Sequence, residues 1–161
     1  MVVIMFTGIS LAVLGAALSA ILAGIGSAAG VQTAGRAAAG VVSEKPELFG
    51  KVFLLQALPG TQGIYGFLAA ILLLGRVGLI GGGAAELSTA AGWQFLFASL
   101  PIAIVGLISG IFQGRTAAAA IHMVARQPES SVKGLTMTAL VETYAILALL
   151  VSILLLYGIQ I

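Results

Sequence analysis

The chain has 161 residues, of which 60% are hydrophobic and only 7% are charged, with a net charge of +2 and a mean hydropathy of +1.18. Soluble domains carry about 25% charged residues, so this composition excludes a soluble protein and predicts one that is surrounded by lipid. The absence of cysteine excludes disulfides and thiolate metal sites, and the small net charge without basic runs argues against nucleic-acid binding.

Four apolar segments, each longer than the roughly 20 residues needed to cross a bilayer, predict four transmembrane helices. They run from about Val3 to Val42, Leu48 to Leu74, Leu87 to Val124 and Val132 to Tyr157. Charged residues, glycine and proline interrupt them at 43–47, 81–83 and 126–129. The predicted fold class is therefore an all-α membrane protein.

Lysine and arginine predict the orientation of these helices. Arg76 lies at one end of the predicted bundle, and the other basic residues lie on or toward the two short polar loops at the opposite end. They are Arg36, Lys45, Lys51, Arg115, Arg126 and Lys133. Because basic residues favour the cytoplasmic side, we expect a multi-pass protein of the cell membrane with the loops near 43–49 and 125–131 in the cytoplasm and both termini outside.

The sequence repeats itself without a gap when it is displaced by 82 residues. The matches include Gly24 with Gly106, Ser27 with Ser109, Pro46-Glu47 with Pro128-Glu129, Lys51 with Lys133 and Thr61 with Thr143. This pattern predicts a duplicated helical hairpin, with the first hairpin in residues 1–80 and the second in residues 81–161. Each half crosses the membrane twice, so the repeat is parallel.

Small residues recur every four positions on the first and third predicted helices. The sets are Ala16, Ala20, Gly24 and Ala28, and Gly106, Gly110, Gly114 and Ala118. Such stripes let helix backbones approach closely. They indicate either tight packing within one monomer or an assembly in which the first and third helices form an inner ring. The leucine-rich second and fourth helices would then form an outer ring.

Glu142 is the most informative residue of the chain. It lies about 12 residues into the fourth predicted helix and so near the middle of the bilayer, where a carboxylate costs at least about 2.5–3.5 kcal/mol. Packing alone does not require such a residue, so we interpret Glu142 as part of an ion site. Its repeat counterpart is Gly60, and we expect this glycine to lie opposite the carboxylate and leave room for an ion.

Further oxygen-bearing side chains are predicted at the same depth. Thr61, Gln62 and Tyr65 share one face of the second helix, and Gln113 lies level with Glu142 on the third. A proline at position 59 frees a backbone carbonyl one turn earlier. A set of oxygens with one negative charge suits a hard monovalent cation. A proton needs fewer ligands, so the number of oxygens favours sodium.

Two other classes of protein remain open at this point. One is a four-helix secondary transporter of the small multidrug type, which would explain neither the two small-residue stripes nor an acid in one half only. The other is a gap-junction-like pore, which would tolerate the loss of Glu142. The sequence has no nucleotide-binding loop, so we expect no catalytic site in this chain and no organic cofactor.

The segments 58–67 (LPGTQGIYGF) and 140–147 (LVETYAIL) closely resemble the rotor-ring subunit, or proteolipid, of bacterial sodium-pumping V-type ATPases. The resemblance covers nearly the whole chain, including the duplicated hairpin and the single carboxylate. It implies that a ring of identical subunits carries Na⁺ across the membrane while a soluble head hydrolyses ATP. The same ring carrying H⁺ is the alternative.

The resemblance also implies roles for individual residues. Glu142 is the implied ion-binding carboxylate, Thr61, Gln62 and Gln113 supply side-chain oxygens to Na⁺, and Leu58 supplies its backbone carbonyl. Tyr65 is expected to hydrogen-bond Glu142 and hold the site closed. The implied partners are identical copies of the chain, a stator subunit with an essential arginine, central-stalk subunits and membrane lipid.

Overall fold

The computed structural model describes residues 7–83 and 86–160, which form helices and turns and no strand. The helices are α1 (Gly8–Glu44), α2 (Phe49–Ala57), α3 (Thr61–Arg76), α4 (Thr89–Arg126) and α5 (Ser131–Gly158). A 3₁₀ turn at Leu58–Gly60 joins α2 to α3, so that the two helices form one interrupted span.

Four spans in the described residues are long and apolar enough to cross a membrane: α1, Pro46–Arg76, α4 and Pro128–Gly158. The prediction of an all-α protein with four transmembrane helices is thereby confirmed. The predicted start of the first helix, at residues 3–6, lies outside the described residues.

The two short loops at one end of the bundle have the same local geometry. Lys45 ends α1 with φ −135° and ψ 72°, and Gln127 ends α4 with φ −138° and ψ 84°. Each donates its amide to the carbonyl four residues earlier and is followed by a proline that opens a 3₁₀ turn. We call this end of the bundle, defined by Lys45 and Gln127, the loop end. The repeated geometry is what a duplicated hairpin predicts.

The helices α1 and α4 lie side by side in backbone contact along their length. A Cβ added to Gly110 would lie 2.6 Å from the carbonyl carbon of Gly26. A Cβ on Gly114 would likewise overlap the backbone of Gly30, and one on Gly92 would meet the start of α1. The two backbones can approach this closely only where glycine leaves room on both helices.

The structure places the predicted stripe of the third helix inside the monomer, since Gly106, Gly110 and Gly114 face α1 of the same chain. On α1 the predicted stripe does not face α4 of the same chain, so its interpretation as packing within one monomer is wrong, while its role between copies in a ring stays a prediction. Of Ala16, Ala20, Gly24 and Ala28, only Ala16 is buried, and a Cβ on Gly24 would meet no atom within 4 Å. The α1 glycines that face α4 are Gly8, Gly15, Gly26 and Gly30. Steps of four residues drift by about 40° around a helix, whereas mixed steps of three and four stay on one face.

The remaining spans form a second layer. The helix α3 packs on α1, α5 packs on α4, and α3 and α5 touch each other less extensively. The outer surface of this α3–α5 layer carries large exposed apolar side chains, which suit contact with lipid. They include Ile64, Phe67, Leu140, Leu147 and Leu154.

The close contact of α1 with α4 predicts that Gly110→Ala destabilises the monomer itself. The added methyl would overlap the backbone at Gly26, which cannot move aside, and overpacking of this kind costs about 1–3 kcal/mol or more. We expect a lower thermal unfolding temperature in detergent and less folded protein, and we expect Gly110→Leu to prevent folding before any assembly.

Gly40→Ala is the matched control, because it also lies within a long helix but its Cβ would meet no atom within 4 Å. Equal unfolding temperatures for the two variants would contradict the packing role of Gly110.

Candidate ion-binding site

Glu142 lies within α5, 11 residues after the helix starts at Ser131 and 16 before it ends at Gly158 (142 − 131 and 158 − 142). Its side chain is partly buried and faces α3. The Tyr65 hydroxyl of α3 donates a hydrogen bond of 2.5 Å to Glu142 Oε1. The carboxylate is therefore held by the neighbouring span, as the resemblance implies.

Two glutamines beside this pair are completely buried. The Gln62 amide nitrogen of α3 donates to Gln113 Oε1 of α4 at 2.5 Å, and the Gln113 amide nitrogen donates to the carbonyl of Thr138 in α5 at 3.1 Å. Each amide group therefore donates to the next helix: Gln62 of α3 donates to α4, and Gln113 of α4 donates to α5. The Gln62 Oε1 atom is left near the Thr61 hydroxyl, at 3.5 Å.

The 3₁₀ turn between α2 and α3 carries the Leu58 carbonyl, which the resemblance implies as a sodium ligand. The Thr61 hydroxyl donates to the Leu58 carbonyl at 2.9 Å, at the point where the 3₁₀ turn interrupts the span. The repeat counterparts make the same bond in the unbroken helix α5, where Thr143 donates to Leu140 at 2.8 Å. The Thr61 bond is thus a local feature of the repeat and does not require a break or a bound ion.

The structure brings the predicted site residues into two sets of contacts. One set runs from Leu58 to Thr61, Gln62 and Gln113, and the other is the pair of Tyr65 and Glu142. Carboxylate, amide, hydroxyl and carbonyl oxygens together form a hard donor set that suits a monovalent cation.

The expectation that Gly60 lies opposite the carboxylate and leaves room for an ion stays a prediction. A Cβ on Gly60 would meet only Val31 of α1, at 3.8 Å, and no atom of Glu142 within 4 Å. Val31 is the repeat counterpart of Gln113, just as Gly60 is that of Glu142. The pair Gly60–Val31 is therefore the apolar equivalent of the Glu142–Gln113 position in the other hairpin.

Two further residues shape the site, and the sequence gives little sign of either. The carbonyl of Thr138, one turn before Glu142, fixes the Gln113 amide, and the Ser27 hydroxyl of α1 accepts a hydrogen bond of 2.7 Å from the Gly63 amide. Thr138 acts through its backbone carbonyl, and the identity of its side chain gives no sign of this role. The pairing of Ser27 with Ser109 in the repeat was the one sequence signal for the serine.

The basic side chains near this depth point away from the site. Arg115 is exposed and lies over the Phe112 ring, 5.7 Å from its centroid, whereas Gln113 is buried. Arg36 and His122 are also exposed, on the outer faces of α1 and α4. Arg36 and His122 line one groove toward the loop end, together with Glu44, Lys45 and Arg126.

Comparison with known proteins shows one family. The family model for the C subunit of ATP synthase matches residues 14–73 and 96–155, one match in each half of the chain. The V-type sodium ATPase subunit K of Enterococcus hirae is 49% identical over 148 residues, covering 92% of this chain and 91% of that protein. The A-type ATP synthase subunit K of Methanocaldococcus jannaschii is 42% identical over 149 residues, covering 92% of this chain and 63% of that protein.

The bond between Tyr65 and Glu142 predicts that Tyr65→Phe speeds the labelling of Glu142 by a carboxyl-reactive carbodiimide. The reagent attacks the carboxyl group, and the hydrogen bond from Tyr65 must break before Oε1 is free to react. A hydrogen bond to a charged group is worth about 1.5–3 kcal/mol, so labelling at fixed pH should be roughly tenfold faster without it. Mass spectrometry of the labelled chain measures the rate.

Tyr144→Phe is the control for this prediction. Tyr144 lies beside Glu142 in sequence but is 66% exposed. If both variants are labelled at the wild-type rate, the phenol does not hold the carboxylate.

Proposed function

Because the chain belongs to the family of ATP synthase C subunits, we propose that it is part of the membrane rotor ring of a V-type ATPase and carries Na⁺ across the membrane on Glu142. The observation that carries this proposal is the grouping of a mid-span carboxylate with two buried carboxamides and a phenol in one chain. ATP hydrolysis belongs to other subunits of the complex, and this chain has no catalytic part in it.

Sodium binds between α3, α4 and α5 in this proposal. Its ligands are the Glu142 carboxylate, the Thr61 hydroxyl, the side-chain oxygens of Gln62 and Gln113, and the Leu58 carbonyl. One carboxylate balances the charge of one monovalent ion. The resemblance to a subunit of a sodium ATPase supports Na⁺ over H⁺, as does the presence of two carboxamides that a proton site does not need.

The charge of Glu142 explains why the ring can turn. With Na⁺ bound, the site is neutral overall and can pass through lipid, whereas a bare carboxylate at this depth costs at least about 2.5–3.5 kcal/mol. The Tyr65 hydroxyl holds the carboxylate toward the protein during this passage. At the stator, an arginine of another subunit competes for Glu142, and the ion leaves through an aqueous path.

The two layers of the monomer suit two different environments. In a ring, α1 and α4 form the inner layer and the α3–α5 layer faces lipid and the stator. Arg115 supports this arrangement, because it is exposed only two residues, or about 3 Å along the axis, from Gln113. An arginine at that depth is too costly against lipid chains, while the exposed side chains of α5 near Glu142, which include Leu140, Thr143 and Tyr144, carry no charge.

The loop end faces the cytoplasm in this proposal, and both termini face outside. The excess of lysine and arginine at the loop end supports this orientation. Two of these side chains tie the loops together, since Lys45 donates to the Ala125 carbonyl at 2.6 Å and Lys51 to the Pro128 carbonyl at 3.0 Å. The joined loops form the surface on which the central stalk docks.

We predict that Glu142→Gln abolishes ion transport while the ring still assembles. Glutamine keeps the shape of the side chain and removes the charge that binds and releases the ion. Uptake of radioactive sodium by vesicles that contain the purified complex measures transport, and native mass measurement of the detergent-extracted protein measures assembly.

Glu86→Gln serves as the control, because Glu86 is exposed near the end of the bundle opposite the loops. Uptake at the wild-type rate by the Glu142→Gln complex would refute the proposed mechanism.

Ion choice is tested by the protection of Glu142. We predict that Na⁺ slows carbodiimide labelling of Glu142, and that protection is strongest at neutral to alkaline pH. Bound sodium keeps the carboxylate ionised, whereas protons compete for the same oxygen when the pH falls. The fraction of labelled chain is measured by mass spectrometry over a series of sodium concentrations and pH values.

Gln62→Leu should weaken this protection, because it removes one oxygen from a charged ligand set at a cost of about 1–3 kcal/mol. Gln32→Leu, at an exposed position of α1, should leave protection unchanged. Wild-type labelling that is indifferent to sodium across this range would identify the ion as the proton and leave the rotor assignment standing.

A further inference from the structure

The first turn of α3 lacks the usual cap. The helix begins at Thr61, and its N-cap residue is Gly60, which has no side chain to accept a hydrogen bond. The first N–H groups of a helix have no hydrogen-bond acceptor within the helix, and inside a membrane no water is present to accept their hydrogen bonds. The Gly63 amide, at the third position of α3, finds its acceptor in another span: it donates to the Ser27 hydroxyl of α1 at 2.7 Å.

Glycine residues make this contact between α1 and α3 possible. A Cβ on Gly63 would lie 3.2 Å from both the Cβ and the Oγ of Ser27. One turn further along α3, a Cβ added to Gly66 would lie 2.5 Å from the Cβ of Ala23 in α1. Ser27 is buried, so its hydroxyl is enclosed with the amide that it accepts.

The second hairpin provides an internal comparison. Ser109 occupies the repeat position of Ser27, and Ala145 that of Gly63. Ala145 lies within the continuous helix α5, so its amide bonds along the helix, and Ser109 Oγ is buried without a hydrogen-bond partner among the described residues. The serine thus has an acceptor role only in the hairpin whose helix is broken.

We infer that Ser27 is a positioning residue for the sodium site: it caps α3 from the neighbouring helix and so fixes Thr61 and Gln62 relative to Gln113. This inference rests on the proposed function. Thr61 and Gln62 are the two residues before Gly63, so the same hydrogen bond that holds the Gly63 amide holds the turn that carries both oxygens. Without this hydrogen bond, the Gly63 amide can move toward the Pro59 carbonyl. The first turn of α3 then tightens, and the Thr61 and Gln62 side chains rotate with it.

The test compares Ser27→Ala with Ser109→Ala in the assembled ring. Glu142 labelling by carbodiimide is measured at constant pH against sodium concentration. Ser27→Ala should raise the sodium concentration for half-protection about fivefold. This factor is the change in an equilibrium constant that corresponds to the usual loss of stability when a helix cap is removed. It should leave the labelling rate without sodium unchanged, because Tyr65 still holds Glu142. Ser109→Ala should match the wild type within about twofold, because it breaks no hydrogen bond.

The outcomes separate the inference from the function. Half-protection at the wild-type concentration in Ser27→Ala, or equal shifts in both serine variants, overturns the positioning role while sodium binding stands. Absence of sodium protection in the wild type overturns both, since no sodium ligands remain to be positioned. If the Ser27→Ala ring does not assemble, Ser27→Cys carries the test, because sulfur is a weak acceptor and should give an intermediate shift.

Discussion

A carboxylate in the middle of a membrane-spanning helix must find its partners inside the protein, because lipid offers none. In this chain Glu142 receives the Tyr65 hydroxyl, and the two glutamines beside it satisfy each other and the Thr138 carbonyl. These groups come from α3, α4 and α5, so the site exists only while three spans keep their relative heights. The rest of the fold is best understood as what fixes those heights.

The contact of α1 with α4 fixes the heights of these two helices, and the other helices are aligned on them. Its glycines place backbone against backbone, so a shift of either helix along the other brings a side chain into collision. The helix α5 is aligned on α4 through Gln113 and Thr138, and α3 is aligned on α1 through Ser27 and Gly63. The two helices that carry most of the site, α3 and α5, are thereby both anchored on the rigid pair of α1 and α4, even though α3 and α5 touch each other only lightly.

Much of this arrangement could be predicted from the sequence, because hydrophobic length sets the spans and the rise of a helix sets depth. The depth of Glu142 and the shared face of Thr61, Gln62 and Tyr65 follow from these two quantities. Direction around a helix was harder to predict. Positions four apart drift around the axis, so the α1 glycines that contact α4, such as Gly15 and Gly26, are not the residues that a four-residue step selects.

The repeat was more informative about depth than about contact. It places Gly60 level with Glu142, but the two residues have different neighbours: Gly60 lies toward Val31 of α1, whereas Glu142 faces Tyr65 of α3. The role of Ser27 depends on a backbone amide left by a broken helix. No pattern of side chains encodes such an amide, so the structure was needed to find it.

The apolar pair Gly60–Val31 has a mechanical consequence for a ring of these chains. Every four spans hold one mid-span carboxylate, although the repeat has two equivalent positions. If each carboxylate carries one ion, a ring of given circumference moves half as many ions in a full turn as one with a carboxylate in every hairpin. If the head delivers the same energy per turn, each ion then receives twice the energy and can be driven against twice the electrochemical gradient. Glycine at position 60 thus halves the number of ions that a turn must move.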